Sequence, residues 1–270
     1  MTPPLPKLEP ISTDKPSVAR VYDYFLGGYH NFAVDREAAE QVISYYPDVP
    51  LGAQANRGFL RRAVRYCLAQ GVDQFLDIGS GIPTSGNVHE IAQSENPDAR
   101  VVYVDMDPVA VIHSRALLRD NLKATIIQAD ASEPMRILEA PAFQQLIDRR
   151  RPIGVIFVAL LHFIPDDAAA ARTVQILRKA MSSGSYLIIS HGSHDNVPSE
   201  LVAPIVALYE KAVSPFKYRS ADQVASFFEG LDLVEPGIVA TPRWRPESDD
   251  DVLLDRPERA LTIGGVGRKP

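Results

Sequence analysis

The chain has 270 residues, 46% of them hydrophobic and 23% charged, a balance that suits a globular protein with a sizeable core and excludes a disordered or fibrous chain. Its 28 Lys and Arg against 34 Asp and Glu leave a formal net charge of -6, which repels nucleic acid and anionic lipid, so neither is an expected partner. The single cysteine, Cys67, excludes an internal disulfide and fits a reducing, cytoplasmic setting. The opening MTPPLPKLEP has no apolar leader core, and no segment approaches the ~18 apolar residues of a membrane span.

Residues 1–15 are Pro-rich and polar and read as a flexible arm. Residues 16–71 read as a helical cap that forms one structural domain with the core after it. Val18, Val21, Tyr22 and Phe25 fall on one face of a helix over Ser17–Leu26, which Gly27 and Gly28 stop. A second helix spans Ala33–Tyr46 and ends at Pro47. A third spans Ala53–Ala69, with Phe59, Leu60, Ala63, Val64 and Cys67 on its apolar side and Gly71 after its end.

After Gly71 short apolar strands alternate with helices, over residues 72–270. Strands are expected at Gln74–Ile78, Arg100–Val104, Ala124–Gln128, Ile153–Ala159 and Tyr186–Ser190. Helices are expected at Ser85–Glu95, Pro108–Asp120 and Asp166–Met181. Near-continuous apolar strands imply burial on both faces, hence a parallel, doubly wound α/β sheet. Helices at Ser199–Val213 and Ser220–Glu229 follow, then strands at Leu231–Val239 and Arg259–Val266, giving seven strands. The stretch with Arg243, Trp244 and the acidic run Asp249–Asp251 reads as a surface loop.

The main site signal is Phe75-Leu-Asp-Ile-Gly-Ser-Gly81, an apolar strand running into a glycine turn that opens a helix. Glycine lets backbone approach a ligand closely, and open parallel sheets bind ligands beyond their carboxyl ends. A nicotinamide dinucleotide is the obvious rival occupant. Gly79 and Gly81 are followed by Thr84 rather than a third glycine, and Asp77 would repel a pyrophosphate. A ligand with a positive end suits Asp77 better, and S-adenosylmethionine has an ammonium, a sulfonium and no phosphate. Asp105 ends the second strand, where an acid accepts ribose hydroxyls, with Asp107 in reserve as a helix cap ahead of Pro108. Asp130, after the third strand, could accept from an adenine amine.

Four segments carry a resemblance: Ala19-Arg-Val-Tyr-Asp-Tyr-Phe-Leu-Gly-Gly28, Asn31-Phe-Ala-Val-Asp-Arg36, Phe75–Thr84 with Asn87-Val-His-Glu90, and Val101–Pro108. Together they resemble the actinobacterial S-adenosyl methyltransferase family, formerly DUF574, within the class I S-adenosylmethionine-dependent methyltransferases. The resemblance implies a Rossmann-like seven-stranded sheet with its last strand antiparallel, S-adenosylmethionine as cofactor and S-adenosylhomocysteine as product. It implies Asp77, Gly79 and Gly81 at the methionine moiety, Asp105 at the ribose and Asp130 at the adenine. Pro83 and Thr84 depart from the more glycine-rich first turn of the class. Tyr22, Gly27 and Gly28 sit where the first helix breaks, either folding over the cofactor or serving as packing and a helix stop.

Methyl transfer is an in-line displacement in which alignment supplies most of the rate, and a base is needed only if the acceptor must lose a proton. His162, after the fourth strand, is the candidate base, ahead of His191 and His194 after the fifth. No metal site is expected, since His89-Glu90 lacks a second His at metal-ligand spacing. Arg57, Arg61 and Arg65 share a helix face and Arg149-Arg150-Arg151 is a short basic run; each could touch an anionic partner, but the favoured reading is solvated surface. The expected function is methylation of a small molecule at oxygen or nitrogen. The alternatives are a cofactor-binding sensor without transferase activity and a nucleotide-binding oxidoreductase. The acceptor and the oligomeric state are not written in the sequence.

Overall fold

Where apolar strands alternate with helices, a parallel sheet forms. In the computed structural model, which describes residues 13–84, 86–193, 195, 197–249 and 251–270, its strands are β1 (Gln74–Ile78), β2 (Arg100–Asp105), β3 (Ala124–Gln128), β4 (Gly154–Val158) and β5 (Tyr186–Gly192). Most of the arm expected over residues 1–15 lies outside the described residues. Three further strands follow, β6 (Asp232–Leu233), β7 (Val239–Ala240) and β8 (Thr262–Arg268). The order is β3-β2-β1-β4-β5-β8-β6, with β7 also paired to β8. The first five strands are parallel, and β8 runs antiparallel to β5. The last strand is therefore antiparallel, as the resemblance implies. The sheet has eight strands rather than seven because Glu235-Pro236-Gly237 interrupts the expected Leu231–Val239 strand and leaves two short pieces.

The helices are α1 (Val18–Phe25), α2 (Ala33–Tyr45), α3 (Val49–Ala69), α4 (Val88–Glu95), α5 (Pro108–Leu117), α6 (Pro134–Glu139), α7 (Pro141–Leu146), α8 (Asp167–Ala180), α9 (Ser199–Leu208) and α10 (Ala221–Ser226). Helix α3 starts four residues earlier than its apolar period suggests, because Pro50 suits a first helical turn. The short helices α6 and α7 have too few turns to show a period. The expected Ser199–Val213 helix ends in a π turn over Tyr209–Val213.

Side chains alternate across the sheet and build two cores. Leu76, Ile78, Val102, Val104, Phe157 and Leu187 face α6, α7, α8 and α10. Phe75, Val101, Ile156 and Ile188 face α3, whose Phe59, Leu60, Ala63, Val64 and Cys67 are all at most 1% exposed. Helix α3 is thus a layer of the sheet domain. Helices α1 and α2 instead join α9 in a third cluster that includes Val21, Phe25, Val42, Ile205 and Tyr209.

The expected surface loop around Trp244 is corrected by the structure. Trp244 is fully buried against Phe59. Arg62 of α3 donates to the carbonyls of Trp244 (2.8 Å) and Thr241 (2.7 Å) and pairs with Asp251 (3.0 Å). A guanidinium with several fixed partners can be buried and can hold an irregular segment in place.

Candidate functional site

Strand order reverses between β1 and β4, and the crevice beyond the carboxyl ends at such a point is where open α/β sheets bind ligands. A cavity of about 610 Å³ opens there, within the size range of small-molecule sites. Asp77, Gly79, Gly81, Asp105, Asp107, Asp130, Tyr22 and His162 all line it.

Strand β1 delivers Asp77 on the face toward α3, and the chain then turns through Gly79 at φ +71°. A Cβ at Gly79 would stand 2.6 Å from Leu160, so both the backbone angle and the close approach call for glycine. The turn is anchored to β2: the amides of Gly79 and Ser80 both donate to the Val104 carbonyl, at 2.8 and 3.1 Å. The Gly81 amide donates to Asp105 Oδ2 at 2.7 Å, and the Asp107 amide to Asp105 Oδ1 at 2.8 Å. Asp107 caps α5 through the Val109 amide (2.7 Å) and accepts from the Ser17 hydroxyl, which ties the chain before α1 to the cavity rim. Asp130 is exposed at the rim, where one oxygen accepts from the Ser132 amide at 2.8 Å.

Asp77 and Asp105 are only 5% and 7% exposed. Burial pushes Asp77 up to about 7, against the pull of Arg57 and with a further push from Asp105. Burial likewise raises Asp105 to about 6, opposed by the amides it accepts. Acids strained in this way gain from a partner that donates hydrogen bonds or carries positive charge. Asn56 Oδ1 and Ser80 Oγ are buried without hydrogen bonds among the described residues, and both residues line the cavity. A ligand with an ammonium and adjacent hydroxyls supplies donors to the buried carboxylates and to Asn56 Oδ1.

Gly27 and Gly28 lie outside the cavity lining. Their sequence position fits either a cover over the cofactor or a helix stop, and in the structure they build a turn after α1. The Gly28 amide donates to the Asp23 carbonyl, and a Cβ at Gly28 would overlap the Asp23 carboxylate. That carboxylate holds the His30 amide (3.0 Å) and Asn31 Nδ2 (2.8 Å). Tyr22 does reach the cavity, donating to the Ala53 carbonyl and accepting from Asn56 Nδ2 at 3.0 Å.

His162 sits on a tight turn over Leu161–Phe163, after β4 rather than within it. The Gly192 amide donates to its Nδ1 at 3.1 Å. Burial, with His191 and Arg219 nearby, drives its pKa well below the ordinary value, so the ring is neutral and carries its proton on Nε2. That arrangement leaves Nε2 as the ring nitrogen without a partner among the described residues, on a side chain that lines the cavity. His191 is also fixed: its Nδ1 bonds the Gly192 carbonyl and its Nε2 accepts from Arg219 at 3.0 Å, with its pKa lowered by burial to about 4. His194 lies outside the described residues.

Asn56, Ser80 and Arg219 are residues that sequence reasoning passes over, and Arg57 is one that it reads as solvated surface. Arg61 and Arg65 do pair with Glu247 on the surface, but Arg57 lines the cavity and holds the Gly86 carbonyl at 2.7 Å. Asn56 leaves a signal, a polar residue inside the apolar stripe between Ala53 and Leu60. Arg219 leaves none. It is 2% exposed and ties the turn after β4 to the end of β5, donating to the carbonyls of Leu161 (2.9 Å) and Ile164 (2.8 Å) and to Asp167 (3.0 Å).

No curated protein matches the chain. Two crystal structures superpose closely. One, a DUF574 family protein from Streptomyces avermitilis MA-4680, is 38% identical, covers 96% of this chain and 99% of its own, and has a TM-score of 0.91. The other, a candidate methyltransferase from Thermobifida fusca YX, is 38% identical, covers 95% of this chain and 97% of its own, and has a TM-score of 0.90. The model of one family, described as S-adenosyl methyltransferase, matches residues 6–270. The chain belongs to the S-adenosyl methyltransferase family, and its cofactor is S-adenosylmethionine.

Proposed function

We propose that the protein transfers a methyl group from S-adenosylmethionine to an oxygen or nitrogen of a small molecule. The observation that carries this reading is the pair of buried acids, Asp77 and Asp105, at neighbouring strand ends beside the unpartnered acceptors of Asn56 and Ser80. In this reading Asp77, Asn56 and the Gly79–Gly81 turn hold the methionine end of the cofactor. Asp105 accepts from the ribose hydroxyls, and Asp130 faces the adenine. When bound, the sulfonium supplies an electrophilic methyl group. The chain's own work is to bind, align and exclude water, effects that reach roughly 7–11 kcal/mol in well-oriented reactions. Tyr22 and Asn56 close the α3 side of the cavity, and the Ser17–Asp107 contact closes the rim at α5.

With His162 a donor, the attacking atom is one that needs no proton taken by this ring. A cavity that runs on past the strand ends favours a transferase over a sensor, which needs room only for the cofactor.

Thermal unfolding with S-adenosylmethionine, S-adenosylhomocysteine and NAD tests the binding step. A ligand at ~100 times its dissociation constant adds about 2.7 kcal/mol of stability. The two adenosyl ligands stabilise and NAD does not; stabilisation by NAD alone would overturn the reading. Release of S-adenosylhomocysteine with a panel of small phenols and amines then tests transfer.

A further inference from the structure

The cavity does not end with the acids. Its lining continues past Val158, Ala159 and Leu160 at the end of β4 to Ile205, Tyr209, Val213 and Phe216, a part termed the second lobe. Its walls belong to the third hydrophobic cluster, where α1 and α2 meet α9 and the segment after it. The π turn that ends α9 brings Tyr209 and Val213 to this wall, and such turns recur at functional sites.

The lobe is aromatic and preformed. The Phe216 ring stands 4.8 Å from His162, 5.4 Å from Phe163, 5.3 Å from Tyr209 and 4.7 Å from Tyr218, centroid to centroid. All five of these residues line the cavity. Tilted and edge-on rings at such distances are the arrangement in which another flat ring packs well.

The α9 side of the lobe carries no charge, and Arg20 of α1 is paired with Asp35 at 3.0 Å. Every Lys, Arg, Asp and Glu among the described lining residues comes from the segment before α1, from α1 and α3, or from the ends of β1, β2 and β3. None comes from α9, the π turn, residues 214–218 or residues 260–262. Arg219, next in sequence to the lobe, is occupied by Asp167, His191 and two carbonyls. An ionised ligand would enter with no counter-ion, which an apolar site penalises heavily. The lobe's polar groups are Tyr209, Ser214, Tyr218, Thr262 and His162, and the His162 ring has its Nδ1 taken by Gly192 while its Nε2 bonds nothing among the described residues.

We infer that this lobe is the acceptor subsite and takes an uncharged, flat aromatic molecule whose heteroatom accepts a hydrogen bond from His162. The assignment rests on the methyltransferase reading above. His162 is then a substrate-orienting group, and the aromatic walls select by shape and neutrality.

Calorimetric titration of the full chain, saturated with S-adenosylhomocysteine, tests this with three probes: 2-naphthol, 2-naphthoate and 2-naphthylmethylammonium. 2-Naphthol binds at a single site, and the two charged probes bind at least about ten-fold more weakly, the loss expected for an uncompensated charge in an apolar pocket. Val213→Trp fills the lobe and weakens 2-naphthol by about ten-fold or more, while S-adenosylhomocysteine stays within about two-fold, since the two subsites are distinct. Ile205→Phe blocks from another wall and gives the same split should Val213→Trp misfold. If S-adenosylhomocysteine itself does not bind, the methyltransferase reading falls and the acceptor assignment falls with it. If it binds but 2-naphthol does not, or if the charged probes bind as well as 2-naphthol, only the assignment of the lobe is overturned.

Discussion

The Gly81 amide donates to the carboxylate of Asp105 at 2.7 Å, so the glycine turn after β1 and the acid ending β2 form one unit. The acid that faces the ligand also shapes the loop that cradles it. Asp105→Ala removes both functions. We expect cofactor affinity to fall by roughly 2 kcal/mol, about thirty-fold, from lost charge-assisted hydrogen bonds. Asp105→Asn keeps one acceptor and loses less. Titration with S-adenosylhomocysteine measures both, and equal affinity of Asp105→Ala and the parent chain would remove the ribose role.

The two buried acids give a pH dependence whose sign is fixed. Burial raises Asp77 to about 7 and Asp105 to about 6, above the value near 3.8 that both have when unfolded. Between those values the folded chain holds protons that the unfolded chain has lost. The stability of the free protein therefore declines as pH rises from about 4 to about 7. A cationic ligand reverses the preference, because it favours the ionised acids. Cofactor affinity should rise with pH over about 5.5 to 7.5, with protons released on binding. Titrations in buffers of different ionisation enthalpy count those protons. Asp77→Asn flattens the profile and stabilises the free protein near neutrality; an unaltered profile would count against Asp77 as the titrating group.

Asn56 separates binding from stability. Its Oδ1 is buried without a partner, which costs the free protein stability. Asn56→Leu should leave the melting temperature unchanged or higher, yet weaken S-adenosylhomocysteine by about ten-fold. A variant that melts earlier and binds normally would make Asn56 purely structural.

Arg219 holds the turn that carries His162. Arg219→Met leaves the carbonyls of Leu161 and Ile164 and the Nε2 of His191 without their donor. Leaving buried polar groups unpaired costs about 3 kcal/mol here, a drop of roughly 6–12 °C in melting temperature for a chain of this size. Differential scanning calorimetry checks it. Cofactor affinity changes far less, because Asp77 and Asp105 stand on β1 and β2.

The alternation of apolar strands and helices makes the parallel sheet legible, because each strand buries both faces and local composition reports that directly. The acids at the strand ends are legible for a related reason. A strand's last residue is fixed by where its apolar run stops, so Asp77, Asp105, Asp107 and Asp130 fall to one end of a parallel sheet, and all four line the cavity. The glycine pair was harder to read. Gly27 and Gly28 have the look of a ligand turn, but Gly28 packs on Asp23, seven residues before His30, in a local polar knot.

By itself, then, the sequence determined the strands and most of the helices, the carboxyl-end crevice and its acidic character, since each follows from residue type and spacing within a few turns of chain. Only the tertiary structure decided the rest. Trp244 is buried because Arg62, far away in sequence, claims its carbonyl. His162 is a donor because the Gly192 amide, from the next strand, takes its Nδ1. The aromatic lobe exists because α1 and α2 meet α9, bringing together residues more than 150 positions apart. Contacts across such separations depend on chain closure and packing, which no local period encodes.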